Sequence, residues 1–515
     1  MGVDSKHPLY SEHEPEWLQM RDTMRGERIV KAKGVEYLPM TSGMVADGGE
    51  TSTESDGWKA YKSYRLRAVF PDLVKEAREA MLGIMHNKPP TIELPSQLED
   101  MRTKATLRNE SLEMLLRRIN EEQLTAGRLG ILADVIDSGE RAGTPYLATY
   151  IAEHVINWDE GQQSRELDGG TGDDRIEVTE PQNLNFVSLN ESGFERQTSF
   201  EWKEVEKYRI LLLGDVDEDE PEGEGVYRVG VFRDNKQEFS EDQMDEVQIA
   251  GTPTSEIPFV FVNTKDITAE PDEPPLMGVS DLSLTIYRGE ADYRQALFMQ
   301  GQDTLVVIGG GKDEKHRIGA GASINIPNFE GDAKFIGVDS TGLSEMRSSL
   351  ENDYRRAAQK AGQMLDTTSN DAESGEALKV RVSARTATLN QIALTGAFAL
   401  EQILKILARW VGANDAEVVV TPNLDFVDDE LSGRTLVDYL TAKMQGAPWS
   451  FESIHKLMAD RGLTEMTFDE ELKKILSEED LLMLRGGGST NPDGPVDGDD
   501  PPDDNQPSSG SGAVA

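Results

Sequence analysis

The stretch from Ser374 to Val411 contains no proline and no break in its apolar pattern. Leu378, Val382, Arg385, Leu389, Ile392, Gly396, Ala399, Ile403, Ile406 and Trp410 recur at alternating intervals of four and three residues. That is the spacing of one helix presenting a nearly straight seam to other helices. At ~1.5 Å per residue such a helix is about 57 Å long, far beyond the ~11–12-residue mean of globular helices. A second helical pattern precedes it at Leu343, Met346, Leu350, Tyr354, Ala357, Ala361 and Met364. Between the two lies a short polar break, DTTSNDAE, from Asp366 to Glu373. Any fold for this chain must accommodate two long helices joined by an exposed polar segment, which is a rod.

A chain of 515 residues has room for roughly two to four domains and an ample core. Charge narrows its functions. With 95 acidic against 52 basic residues the net charge is −43. A protein this acidic repels phosphates and does not hold duplex DNA by counterion release, unless it must let nucleic acid slide past without sticking. A saline habitat is another origin of such a surface, since dense charge keeps it hydrated. The absence of cysteine excludes disulfides, thiolate zinc sites and cysteine nucleophiles. The polar start MGVDSKHPLYSEHEPEW does not resemble a secretory signal. The longest apolar runs, Ile210 to Leu213 and Leu305 to Ile308, are too short to span a bilayer, so a protein assembled from soluble subunits is expected.

Along the chain, residues 1–57 read as an irregular arm ending in a Gly/Ser/Thr-rich loop. Helical spacing runs from Trp58 to Met85 with a break at Phe70-Pro71, and returns from Leu112 to Leu124. A hairpin is expected from 131–136 and 146–158 around a glycine-containing turn. Residues 160–265 alternate in strand fashion at 176–178, 185–189, 208–213, 226–232 and 259–262, and read as a β-rich insertion. A helix follows at about 280–300, then strands at 304–308 and 322–326, the two long helices, and a strand at 417–420. Short helices are expected at about 435–444, 450–461 and 469–484. The tail from Gly486, with six Asp and no basic residue, reads as disordered.

No catalytic pattern emerges. Asp215, Asp217 and Asp219 begin like a calcium loop, but Glu220 replaces the required glycine and Val226 the bidentate glutamate. Gly309-Gly-Gly-Lys312 follows a strand as a phosphate loop would, yet lacks the P-loop spacing and a helix behind it. The six histidines, His7, His13, His86, His154, His316 and His455, never stand at ligand spacing. Ser374-Gly-Glu-Ala is no nucleophile elbow; Ser374 reads as a helix cap. Neither a cofactor nor a metal is expected. What remains is a set of basic residues on the long helix: Lys379, Arg381, Arg385, Lys405 and Arg409. They serve either ion pairs with acidic neighbours or transient contacts with a nucleic-acid backbone.

The order of several stretches resembles the portal (head–tail connector) proteins of tailed bacteriophages, specifically a portal-like family first catalogued as a domain of unknown function. The stretches are Tyr61-Lys-Ser-Tyr-Arg-Leu-Arg-Ala-Val-Phe70, Asn87-Lys-Pro-Pro-Thr-Ile92, Gly127-Arg-Leu-Gly-Ile-Leu-Ala-Asp134 and Tyr150 to Trp158. Further on come Ile257-Pro-Phe-Val-Phe-Val-Asn263, Pro274-Pro-Leu, Leu282 to Arg294 and Ser374-Gly-Glu-Ala-Leu378. They cover residues 58–484, and the likeness rests on their order and spacing.

The resemblance implies an α+β portal fold with a wing, a stem, a β-rich clip and a helical crown. Its oligomer is a ring, usually of twelve subunits, at one capsid vertex of the virion, assembled in the host cytoplasm. Carried over by segment, 1–57 is an N-terminal arm, 58–159 the first part of the wing, and 160–265 the clip with its flanking stem segment. Residues 279–300 are the stem helix, 301–341 a wing β-segment, 342–411 the long helices, 421–484 the crown and 486–515 an acidic tail. The tunnel loop, 366–374, includes Thr367, Thr368, Ser369, Asn370, Asp371, Ala372 and Glu373 as DNA-facing residues. Lys379, Arg381 and Arg385 are possible DNA-backbone contacts. Implied partners are copies of the same chain, the terminase large subunit, head–tail adaptor or neck proteins, major capsid and scaffolding proteins, and double-stranded DNA in transit, with no membrane. The resemblance implies no enzyme activity. An enzyme on a large α+β scaffold and a long-helix capsid scaffolding protein are the alternatives.

Overall fold

The computed structural model describes residues 2–136, 143–168, 175–213, 225–233, 239–249, 251–300, 304–308, 330–336, 341–362, 375–426, 441, 450–460, 464 and 466–486. The chain divides into two units, Met1–Phe426 and Val427–Ala515.

The first unit opens with three helices, α1 (Pro8–Arg25), α2 (Glu27–Lys33) and α3 (Ser42–Ala46). The expectation of an irregular arm at 1–57 is therefore corrected. Tyr10, Trp17, Met20 and Met24 form a buried stripe on α1, with Trp17 and Met20 fully inaccessible. Abundant charge on the other faces conceals that stripe in the sequence. His7 caps the helix, its side chain accepting from the Leu9 N–H, and Pro8 sits in the first turn, where no N–H is needed. Helices α4 (Asp56–Arg67), α5 (Leu73–Met85) and α6 (Leu112–Ala126) follow, the break between α4 and α5 falling at the expected Phe70-Pro71.

The strands run β1 (Thr91–Glu93), β2 (Arg128–Val135), β3 (Pro145–Ile151), β4 (Val155–Asp168), β5 (Arg175–Asn190), β6 (Gly193–Arg196), β7 (Trp202–Val205) and β8 (Lys207–Leu213). They continue as β9 (Tyr227–Arg233), β10 (Met244–Glu246), β11 (Gln248–Ile249), β12 (Thr252–Pro253) and β13 (Phe259–Asn263). Three departures from expectation stand out. A 3-10 turn at Ala152–His154 splits the expected strand 146–158 into β3 and β4. The separate strands at 176–178 and 185–189 are parts of one strand, β5. The β-rich region is also no detached insertion. β13 pairs with β2 in a β13-β2-β3 sheet, and the β10-β9-β8-β5-β4 sheet shares a core with it through Trp158, Val187, Leu211 and Phe261. Among the described residues every strand pair is antiparallel, and none of these sheets closes on itself.

Helix α7 (Met277–Gln300) leads into the hairpin β14 (Thr304–Ile308) and β15 (Asp332–Ile336), then α8 (Thr341–Gly362), α9 (Gly375–Trp410) and β16 (Val419–Thr421). The expected strand at 322–326 lies outside the described residues. α7 and α8 run antiparallel, with Gly278 against Lys360 and Gly289 against Leu350. A Cβ at Gly289 would sit 2.9 Å from Leu350 Cδ2, so the missing side chain sets the spacing of the pair. Ile286, Leu350 and Ala357 fill the contact.

From Leu389 onward α9 is buried on most of its circumference. Leu389, Ile392 and Ala393 join the core of α1, α5 and α7, while Ala397, Leu400, Ile403, Leu404, Leu407 and Ala408 join that of α6, β2 and β13. The seam in this half packs inside its own fold, not as a two-sided rod. A narrow stripe stays exposed, with Leu394 at 44% and Phe398 at 49%. By length and composition the part from Ala387 to Trp410 could cross a bilayer, contrary to the reading from short apolar runs, but two-thirds of it is buried within the protein. It is a core helix.

In the second unit two helices are described, α10 (Phe451–Asp460) and α11 (Phe468–Gly486). Ile454 is buried there, and His455 meets Phe468 edge-on at 5.5 Å. The expected helix at 435–444 lies, except for residue 441, outside the described residues.

Candidate nucleic-acid interface

α9 packs across a buried polar ladder on α6. Asn120 Oδ1 lies 2.9 Å from His86 Nε2 and accepts its proton; Asn120 Nδ2 donates to Gln123 Oε1 at 2.9 Å, and Gln123 Nε2 to the Asn263 carbonyl at 2.7 Å. α9 crosses this ladder at Gly396, where a Cβ would lie 2.6 Å from Asn120 Nδ2 and 2.8 Å from Gln123 Oε1. Only a glycine lets the helix backbone come so close. Burial lowers the His86 pKa below its ordinary value, the hydrogen bond to Asn120 opposing and Arg117 adding to the shift. The imidazole is thus held neutral as the ladder's terminal donor.

Ahead of this anchor, α9 continues for about 21 Å from Leu389 back to Gly375, at ~1.5 Å per residue. Lys379, Arg381 and Arg385 fall in that span. By helical register Arg381 and Arg385 stand four residues apart, in line with Leu389, whereas Lys379 stands on another face. The structure therefore places all three on one segment without gathering them on one face. Their side chains, and all of the segment Thr367, Thr368, Ser369, Asn370, Asp371, Ala372 and Glu373 with the Ser374 cap, lie outside the described residues. So do most of the acidic run from Asp215 and the Gly309-Gly-Gly-Lys312 turn.

Four of the other cations on the long helices are paired. Lys405 meets Glu401 at 2.6 Å, and Arg409 meets Glu256 at 2.7 Å and Asp415 at 3.6 Å. On α8, Arg347 meets Glu351 at 2.9 Å and Arg356 meets Asp353 at 3.5 Å. For these the ion-pair reading holds. Among the described residues no group of three or more His, Asp or Glu is placed to hold a metal ion.

Sequence reasoning misses several positioning groups. Arg21 ties α1 to Glu122 of α6 at 2.6 Å and to Glu153 at 2.7 Å. Burial opposes ionisation of Glu153, yet Arg21 outweighs it and leaves that carboxyl below its usual range. Arg128 is wholly buried, its guanidinium 4.1 Å from the Trp158 ring and 4.2 Å from Phe261, and its nitrogens have no hydrogen-bond partner among the described residues. His7 stacks on the Trp158 ring at 4.2 Å. None of these partners shares a local spacing, so no sequence window contains the signal.

Residues 275–411 match a family described as Domain of unknown function (DUF4055). The match spans α7, the β14–β15 hairpin, α8 and α9. Among solved structures, a chain from the "Neck of native GTA particle computed with C12 symmetry" is similar with a TM-score of 0.37 and 13% identity, over 78% of this chain and 90% of that one. A chain from the "Neck of empty GTA particle computed with C6 symmetry" gives a TM-score of 0.33 and 13% identity over the same shares. No curated protein matches.

Proposed function

We propose that the chain is one subunit of a portal, a non-enzymatic ring at one vertex of a phage-type capsid through which double-stranded DNA is packaged and ejected. The observation that carries this reading is α9 itself: one half fixed in the core across the α6 ladder, the other continuing towards a polar segment at Thr367 to Glu373. Around it the net charge of −43 repels a DNA backbone and keeps it centred, and Lys379, Arg381 and Arg385 relieve that repulsion at one height. The ordered stretches resembling portal proteins support the same reading, as does the family match across α7, the hairpin, α8 and α9. In this role the ring, with twelve subunits as the expected number, serves the terminase motor during packaging and the neck proteins afterwards.

Negative-stain imaging of the purified full-length protein tests the proposal. Rings with a central hole are expected; a uniform population of compact monomers at every salt concentration sinks it. Deletion of 367–373 is expected to leave rings intact and to impair DNA retention. Loss of folding on that deletion would instead place the segment in a core.

A further inference from the structure

Copies of a chain carrying a net charge of −43 repel one another. A ring of them needs contacts where opposite charges meet, and a cyclic ring uses two different, complementary surfaces of each copy. Two surfaces of the first unit differ in sign. α2 carries three basic residues to one acidic, and α4 four to one, the reverse of the chain as a whole. Lys31 Nζ donates to the Leu66 carbonyl at 3.2 Å, which sets α2 against the end of α4. On the outer side of α4, Lys59, Lys62 and Leu66 stand at i, i+3 and i+7 and are all exposed, Leu66 at 66%. Arg28, one turn before Lys31, is exposed too. Among the described residues neither Lys62 nor Arg28 has an ion-pair partner. Lys59 has only the exposed Asp56 at 3.0 Å, a pair worth little.

The second surface is a groove of about 600 Å³ between the β9–β11 region and the end of α9, lined in part by Val135, Tyr227, Asp245, Glu246, Ile249 and Trp410. Past Ile249 and Trp410 it continues into a hollow of about 510 Å³ beside Thr254 and Glu256. Asp245 and Glu246 are exposed. Trp410 Nε1 and Thr254 Oγ1 are buried on its walls without a hydrogen-bond partner among the described residues. Within one chain the two surfaces do not meet. The α4 face rests on the cluster of Tyr61, Tyr64 and Tyr287, and the groove lies beside a different one, that of Leu404 and Leu407.

We infer that the α4 face of one copy seats in the groove of the next, Leu66 against Ile249 and Trp410, with Lys59, Lys62 and Arg28 against Asp245 and Glu246. The inference rests on the ring reading above and names its contact. A short helix laid in a groove is a common recognition mode, and here its basic flank selects an acidic copy of the same chain over other surfaces.

Charge reversal tests it on the full chain. Arg28→Glu/Lys59→Glu/Lys62→Glu makes both surfaces acidic, and Asp245→Lys/Glu246→Lys makes both basic, so each variant alone is expected to lose its rings in negative stain. Mixed in equal amounts, the two variants regain alternating contacts and are expected to form rings again. If each variant alone forms rings as the wild type does, or if the mixture stays disassembled while both variants keep wild-type circular dichroism and melting, the contact is wrong and the portal reading stands. Wild-type monomers would overturn both. Because the chain has no cysteine, Leu66→Cys/Ile249→Cys gives a check independent of charge: oxidation of assembled protein should yield a ladder of covalent multimers, and its absence from intact rings overturns the contact.

Discussion

Arg128 carries a charge where no described residue accepts its protons. Burial pushes its pKa down to about 9, Glu160 acting the other way. Two ring faces return about 2 kcal/mol or more when desolvated, against several kcal/mol for burying an unpaired ion. Arg128→Met is therefore expected to leave the melting temperature unchanged or raise it, whereas Trp158→Ala should lose ~3–5 kcal/mol in urea unfolding. A loss of that size in Arg128→Met would mean the guanidinium has a partner after all. His7, His86 and His154 shift in the same direction. Burial lowers the pKa of each, with neighbouring charges modifying the shift. The unfolded chain then binds protons that the folded one refuses, so stability present above the unfolded value of about 6.5 falls as pH drops below it. Unfolding free energies at pH 7.5 and 5.5 should differ in that direction, and His86→Gln should reduce the difference. No spacing around Arg128 or His86 announces these roles, because their partners sit on other strands and helices far along the chain.

Elements were legible where their period was strong and hidden where their partners were distant. α8 and α9 begin and end within a residue or two of the pattern that predicts them, since four- and three-residue apolar spacing has no other regular solution. α1 was missed because Tyr10, Trp17, Met20 and Met24 are diluted by acidic and basic neighbours and Pro15 lies inside the helix. The seam on α9 gave the helix but not its surroundings. A stripe of Leu389, Ile392, Gly396 and Ile403 suits a neighbouring copy as well as its own core, and only the Asn120–Gln123 ladder decides between them. That crossing can be tested by Gly396→Leu, which must displace ladder atoms standing under 3 Å from its Cβ. A loss of ~1–3 kcal/mol or more is expected, read by thermal melting. Gly289→Leu should act similarly on the α7–α8 pair, through Leu350, and wild-type stability in either variant would mean the helices can shift apart freely.

At the scale of the molecule, the core clusters named above close within Met1–Phe426. A chain ended after Phe426 should keep a cooperative melt close to that of the full chain, and loss of that transition would show that the second unit completes the core. In a ring that passes DNA, α9 then behaves as a cantilever. Its root, from Leu389 to Ala408, is about 29 Å long at ~1.5 Å per residue, against about 21 Å from Leu389 to Gly375. Because the root is longer than the arm, a sideways load from the moving polymer reaches the wall at less than its own magnitude at the far end of the root. The greatest reaction falls near Leu389, where α1, α5 and α7 converge. Mechanical wear of such a channel would therefore be greatest at the helices around Leu389, with the smaller share passing to β2 and β13 at the far end of the root.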